Sequence, residues 1–149
     1  MRKLWIEFPN YGVKVSATMT DGDDQVLENN MWNYISEFQP VRFLCHHTGS
    51  TGGLIDCFPM PREEYPIIPV KNRFFLCDGK KGQIAWNGNQ LLLLHKRLTE
   101  PLMVGLGVVA QIDDECMDEY MAACEDVWNH CFLYHKMATV VISGQEVKA

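Results

Sequence analysis

Turn residues cut this chain into short extended pieces, and that punctuation constrains its fold more than any other feature. Residues 3–8 (KLWIEF) and 13–19 (VKVSATM) alternate apolar and polar positions, as half-buried strands do. Pro9-Asn10-Tyr11-Gly12 between them is turn chemistry, so the two predict a hairpin. Residues 41–46 (VRFLCH) and 53–58 (GLIDCF) read as two further strands. RFFLCD, QIAW, QLLLLH and MVGLGVVAQI follow, separated by Gly79, Gly82 and Asn87-Gly88-Asn89, the last a hairpin signal. Gly105 and Gly107 within the last of these predict bulges or a close backbone approach. Residues 59–72 hold four of the seven prolines and predict an irregular crossing segment.

Two helices interrupt this pattern. Asp21-Gly22-Asp23-Asp24 offers N-caps and early negative charge. Leu27, Met31, Ile35 and Phe38 then repeat near the helical period until Pro40 stops them. A second helix is predicted from Asp113, with Met117, Met121, Cys124, Trp128 and Cys131 as its apolar stripe. Residues 137–142 (MATVVI) predict a closing strand. Many short strands with two helices predict a mainly β fold, a small barrel with helices over its ends, as one domain over residues 1–149.

Composition narrows the function. At 47% hydrophobic and 21% charged residues the chain is ordinary globular protein. A net charge of −6 without a basic stripe disfavours nucleic acid. Seven of the acids fall in residues 113–126, where there is no Lys or Arg, so the rest of the chain is nearly neutral and can hold a locally cationic pocket. No apolar run reaches the roughly 20 residues that span a bilayer, so no membrane partner is expected. MRKLWIEFPN does not read as a signal peptide, and a cytoplasmic location is expected. The six cysteines, with no CxxC pair, are expected to be reduced and mostly buried.

No GxGxxG, GxxxxGK[ST] or GxSxG occurs. The loop His47-Thr48-Gly49-Ser50-Thr51-Gly52-Gly53 reads as a hairpin loop rather than a phosphate cradle, because no Lys and no helix follow it. His46 and His47 are adjacent, so in a strand they point to opposite faces and at most one enters a pocket. They are one packed and one exposed histidine, or one of them is a general acid/base. A metal is not expected beside Cys45, since no second spaced ligand pair exists. His95-Lys96-Arg97-Leu98-Thr99-Glu100-Pro101, leaving an apolar strand, suits a binding rim or a solvated loop with local ion pairs. Arg73 is a carboxylate clamp or a surface arginine. Trp86 is pocket wall or core, and Trp32 reads as core.

Together, LWIEFPNYGVKVSATM, MWNYI, GQIAWNGNQLLLLHKRLTEPL and VAQIDDE…VWNHCFLYHKMATVVI resemble one family. It is the small bacterial cyclophilin-like proteins that include cucumopine and mikimopine synthases. The resemblance covers most of the chain and rests on order and spacing. It implies a cyclophilin-like β-barrel. It does not imply prolyl isomerase activity, because the isomerase strand motif of FMxQGG type is missing. What it implies is a cofactor-free Pictet–Spengler condensation of an amino acid such as L-histidine with a 2-oxo acid such as 2-oxoglutarate, with no metal.

Glu100, in the matching LTEP segment, is then the expected base, and His46 or His47 the proton shuttle. Arg73, Lys96 and Arg97 are the expected carboxylate anchors, and Trp86, His95 and Thr99 complete the expected substrate-binding set. The long HHTGSTGG loop and the HKR ending depart from the family and point to a different substrate. A cyclophilin-like amide or lactam hydrolase and a non-catalytic small-molecule binding protein are the other readings. The second helix is expected to pack on its own barrel, with a homodimer interface as the alternative.

Overall fold

A computed structural model describes residues 1–46, 52–59 and 68–148, with His46 described by its backbone alone. The first hairpin pairs β1 (Arg2–Phe8) with β2 (Val13–Met19) in antiparallel register, Phe8 opposite Val13. Its turn closes by Tyr11 N–H donating to Phe8 O at 3.0 Å, and Gly12 takes a positive φ of 66° that few other residues adopt. β3 (Val41–His46), β4 (Leu54–Pro59), β5 (Arg73–Phe75), β6 (Gln83–Trp86), β7 (Leu91–Leu94), β8 (Met103–Ile112) and β9 (Ala138–Glu146) complete the sheet.

Every pairing is antiparallel, in the order β2-β1-β9-β3-β4-β7-β6-β8. Ala17, Thr18 and Met19 of β2 then pair with Ile112, Gln111 and Ala110 of β8. That last pairing closes the eight strands into a barrel and leaves β5 attached outside the closure, along the first half of β8. Closure removes the unpaired edges that an open sheet would expose. The chain is a mainly β closed barrel with two helices, as its punctuation predicts, and it is consistent with the cyclophilin-like barrel that the resemblance implies.

Helix α1 (Gln25–Phe38) starts where the acidic run predicts. Asp24 caps it, accepting from Leu27 N–H at 3.4 Å, while its other oxygen accepts from Lys71 N–H at 2.7 Å. Leu27, Met31 and Ile35 are fully buried, whereas Phe38, the fourth of that repeat, is exposed and packs on Tyr34. Leu27 lies so near Gly107 that a Cβ there would meet it at 2.8 Å. This is the close approach the two glycines of β8 predict. The register shift between Arg73 and Phe74 of β5, whose partners on β8 are Gly107 and Val104, is the predicted irregularity. Trp32 is only partly buried, under Arg2 and against Gly144.

The second helix starts later than expected. Asp114–Cys116 forms a 3-10 turn, and α2 runs over Met117–Tyr134. Its buried face is centred on Tyr120, Cys124, Val127 and Cys131, with Met117, Met121 and Trp128 flanking it. Tyr120 can sit on that buried face because its hydroxyl donates to Leu94 O at 3.0 Å from within the core. The inner face of α2 is thus covered by its own barrel. α1 meets the Trp86 end of the β6–β7 hairpin and α2 its Leu94 end, so the helices close opposite ends.

RFFLCD is a strand only to Phe75, since Leu76–Asp78 turns into a 3-10 helix. The closing strand is longer than expected, because β9 pairs with both β1 and β3 and continues to Glu146. Among the described residues no helix is long and apolar enough to cross a membrane.

Candidate active site

The strand pleat sends alternate side chains to the two faces of the wall β4-β7-β6-β8. Ile55 and Cys57, Leu91 and Leu93, Ile84 and Trp86 face the barrel core. Leu54, Leu92, Leu94, Ala85 and Leu106 form a second apolar cluster with Leu76 and Leu98 on the other face. The 3-10 turn and the segment before β8 cover this outer cluster. They are laced together, Leu76 N–H donating to Leu102 O at 2.9 Å and Cys77 N–H to Glu100 O at 3.0 Å.

Between wall and cover lies a cavity of about 370 Å³, lined by Leu54, Leu76, Leu92, Leu102, Val104, Gly105 and Leu106 together with Asp56, Gln90 and Glu100. Its size falls within the roughly 300–1,000 Å³ of small-molecule sites. Two carboxylates on the lining put fixed negative charge beside apolar walls, which suits a cationic group on an otherwise apolar ligand.

Each polar group is placed by a local rule. Asn87 Oδ1 accepts from Asn89 N–H at 3.1 Å and Gln90 N–H at 2.9 Å, and Gly88 takes a φ of 105°, so the Asn-Gly-Asn turn delivers Gln90 to the start of β7. Gln90 Nε2 donates to both carboxylate oxygens of Asp56, each at 2.8 Å. That clamp fixes an acid which is only 5% exposed. Glu100 is half-buried, and its Oε2 accepts from Thr99 N–H at 3.3 Å.

Of the expected site residues, Glu100 lines the cavity. His46 sits opposite Asp56 in the β3–β4 register, and His47 lies outside the described residues. Trp86 lies on the core face. It stacks on Tyr34 at 5.8 Å and donates from its indole nitrogen to Asn30 Oδ1 at 2.8 Å, so the sheet separates it from the cavity. Arg73 is exposed at the start of β5, opposite Gly107. Lys96 is exposed and bridges Glu125 at 2.5 Å. Arg97 and Thr99 are exposed.

His95 is fully buried, and neither of its ring nitrogens has a hydrogen-bond partner among the described residues. Burial pushes its pKa down to about 4, helped by Lys96 and opposed by Glu125, so the ring is neutral. The structure thus gathers Glu100 with Asp56 and Gln90 rather than with the basic run before it. The signal for Asp56 was present in LIDCF, an acid inside a strand that is otherwise apolar on both faces. Among the described residues no three His, Cys, Asp or Glu side chains converge as metal ligands.

No protein family matches the sequence. No curated protein matches it either. Among solved structures the fold is similar to that of McbB in complex with tryptophan, with a TM-score of 0.80 at 18% identity. The match covers 98% of this chain but 45% of the other, so this chain spans less than half the length of that protein. The likeness is one of fold, over nearly every residue described above.

Proposed function

We propose that this chain is a cofactor-free condensing enzyme of Pictet–Spengler type, joining an amino acid with a nucleophilic ring to a 2-oxo acid. The observation that carries the reading is the pairing of Asp56 and Glu100 on one apolar cavity. An aromatic or imidazole side chain suits the leucine lining, and its amine suits the two acids. The tryptophan bound by McbB, a protein of the same fold, supports an amino acid as the ligand class.

The chemistry follows from the charges. The amine adds to the oxo carbon, and the carbinolamine loses water to give an iminium. Asp56, held by Gln90, stabilises that cation from a site shielded from water. A ring carbon attacks the iminium carbon, and Glu100 removes the ring proton to restore aromaticity. His46 or His47 remains the proposed proton shuttle for the dehydration step. Arg73 and Arg97 are proposed as rim cations for the oxo-acid carboxylates, since Lys96 is already paired.

The test is incubation of pure protein with 2-oxoglutarate and either L-tryptophan or L-histidine, followed by mass spectrometry. The expected product is an adduct that has lost one water, formed well above the uncatalysed background. A melting shift with either amino acid but no adduct would instead identify a non-catalytic binding protein.

A further inference from the structure

Two cysteines face each other inside the barrel, on the core side of the wall whose outer side carries the cavity. β3 and β4 pair with Cys45 directly opposite Cys57. Opposed residues of an antiparallel pair project to the same face, with Cβ atoms about 4.5–5.5 Å apart. A disulfide spans Cβ atoms about 3.5–4.5 Å apart, so a small closing movement joins such a pair. Both side chains are fully buried and both thiols are free, with the sulfur atoms 2.7 Å apart. The other cysteines are differently placed. Cys131 turns its thiol to the Cys45 carbonyl oxygen at 3.4 Å. Cys77 lies in the 3-10 turn over the cavity, and Cys116 lies beside Ser16.

We propose that Cys45 and Cys57 are a site of oxidative modification, joined into one cross-strand disulfide by a small neutral two-electron oxidant such as hydrogen peroxide. One sulfur attacks a peroxide oxygen and the O–O bond breaks. The departing hydroxide takes the thiol proton and leaves as water, and the sulfur becomes a sulfenic acid. The second sulfur displaces hydroxide from the first, and the second thiol proton leaves with it as another water. Two thiols lose two electrons in all, and one peroxide is reduced to two waters. A neutral oxidant is specified because the pair is sealed from solvent. Burial, together with the hydrogen bond to Cys45, also raises the Cys57 thiol well above its ordinary pKa, so the reaction is slow at neutral pH. The bridge forms behind the cavity wall, at the residue following Asp56, and a thiol reductant removes it once the chain is unfolded.

The experiment treats the folded protein with hydrogen peroxide. The protein is then denatured, its remaining thiols are alkylated, and it is digested without reduction for mass spectrometry. The expected result is one linked peptide pair joining Cys45 to Cys57, lighter by two hydrogens than the separate peptides and absent after reduction. The cysteine-alkylation count falls by two. Recovery of Cys45 and Cys57 as alkylated thiols while Cys77 or Cys116 oxidises would overturn the proposal. So would a linkage from either one to Cys124 or Cys131. The same treatment in urea is the control, where links are expected to spread among all six cysteines. A Cys45–Cys57 link that forms there but not in the folded protein would equally overturn it.

Discussion

Asp56 and Glu100 lie 44 positions apart in sequence, yet they share one small apolar space, and single side chains there are open to direct tests. Gly105 lines the same cavity, and a Cβ built on it meets nothing within 4 Å. Gly105→Phe is therefore expected to add bulk at the cavity's lining without disturbing the barrel. Turnover should fall at least about tenfold while the melting temperature stays within a few degrees, read by mass spectrometry and circular dichroism.

His95 makes the opposite kind of prediction, one of stability. Its folded pKa lies near 4 and its unfolded value near 6.5, so between those values the unfolded chain binds a proton that the folded chain does not. Stability is therefore expected to fall as pH drops through that window, by on the order of 3 kcal/mol in total. His95→Leu leaves no orphaned polar atom and should lose that sensitivity while staying near wild type at pH 7. Denaturant melts of both proteins from pH 4 to pH 7 check this. A parallel loss in the two proteins would mean that other groups carry the acid response.

At the scale of elements, periodicity and punctuation were legible where the decision was local. The capping Asp24, the first hairpin, the Asn-Gly-Asn turn and the close approach at Gly107 each depend on neighbours in sequence or on one missing side chain. The misjudged boundaries were set by partners far along the chain. α2 begins after a 3-10 turn whose first carbonyl belongs to Asp113, a residue held by Lys3, Ser16 and Thr18, and RFFLCD breaks off where Leu76 and Cys77 bond to the segment before β8. The lining of the candidate site was half legible for the same reason. Glu100 stood in a recognisable segment, but its company came from the pleat and a turn rather than from the basic residues beside it.

Asp113, just before α2, shows what such distant contacts contribute. It accepts from Lys3 at 2.5 Å, from Thr18 at 2.6 Å and from Ser16, joining β1 and β2 to the end of β8. Burial alone would raise its pKa, but those three hydrogen bonds outweigh burial and hold it below the ordinary carboxylate value. Its contribution is thus complete above the unfolded pKa near 4 and is lost as pH falls through the lower folded value. Asp113→Ala is expected to destabilise the barrel by about 3 kcal/mol at pH 7, measured by urea denaturation. A change below about 0.5 kcal/mol would show that the latch is not needed for closure.

Over the whole molecule, closure through β2 and β8 makes one rigid wall serve two purposes. Its inner face is the core between the two helices, and its outer face carries the cavity. The acidity of the chain also resolves by location. The cluster at residues 113–126 belongs to the approach to α2 and its first turns, whereas the cavity's own acids are Asp56 and Glu100. If the cavity is where the condensation happens, Glu100→Gln exposes it. The substitution keeps the shape and removes the base. With 2-oxoglutarate and whichever of the two amino acids the wild type converts, kcat is expected to fall at least about a hundredfold while the amino acid still binds. Unchanged turnover in that variant would remove Glu100 and its cavity from the chemistry.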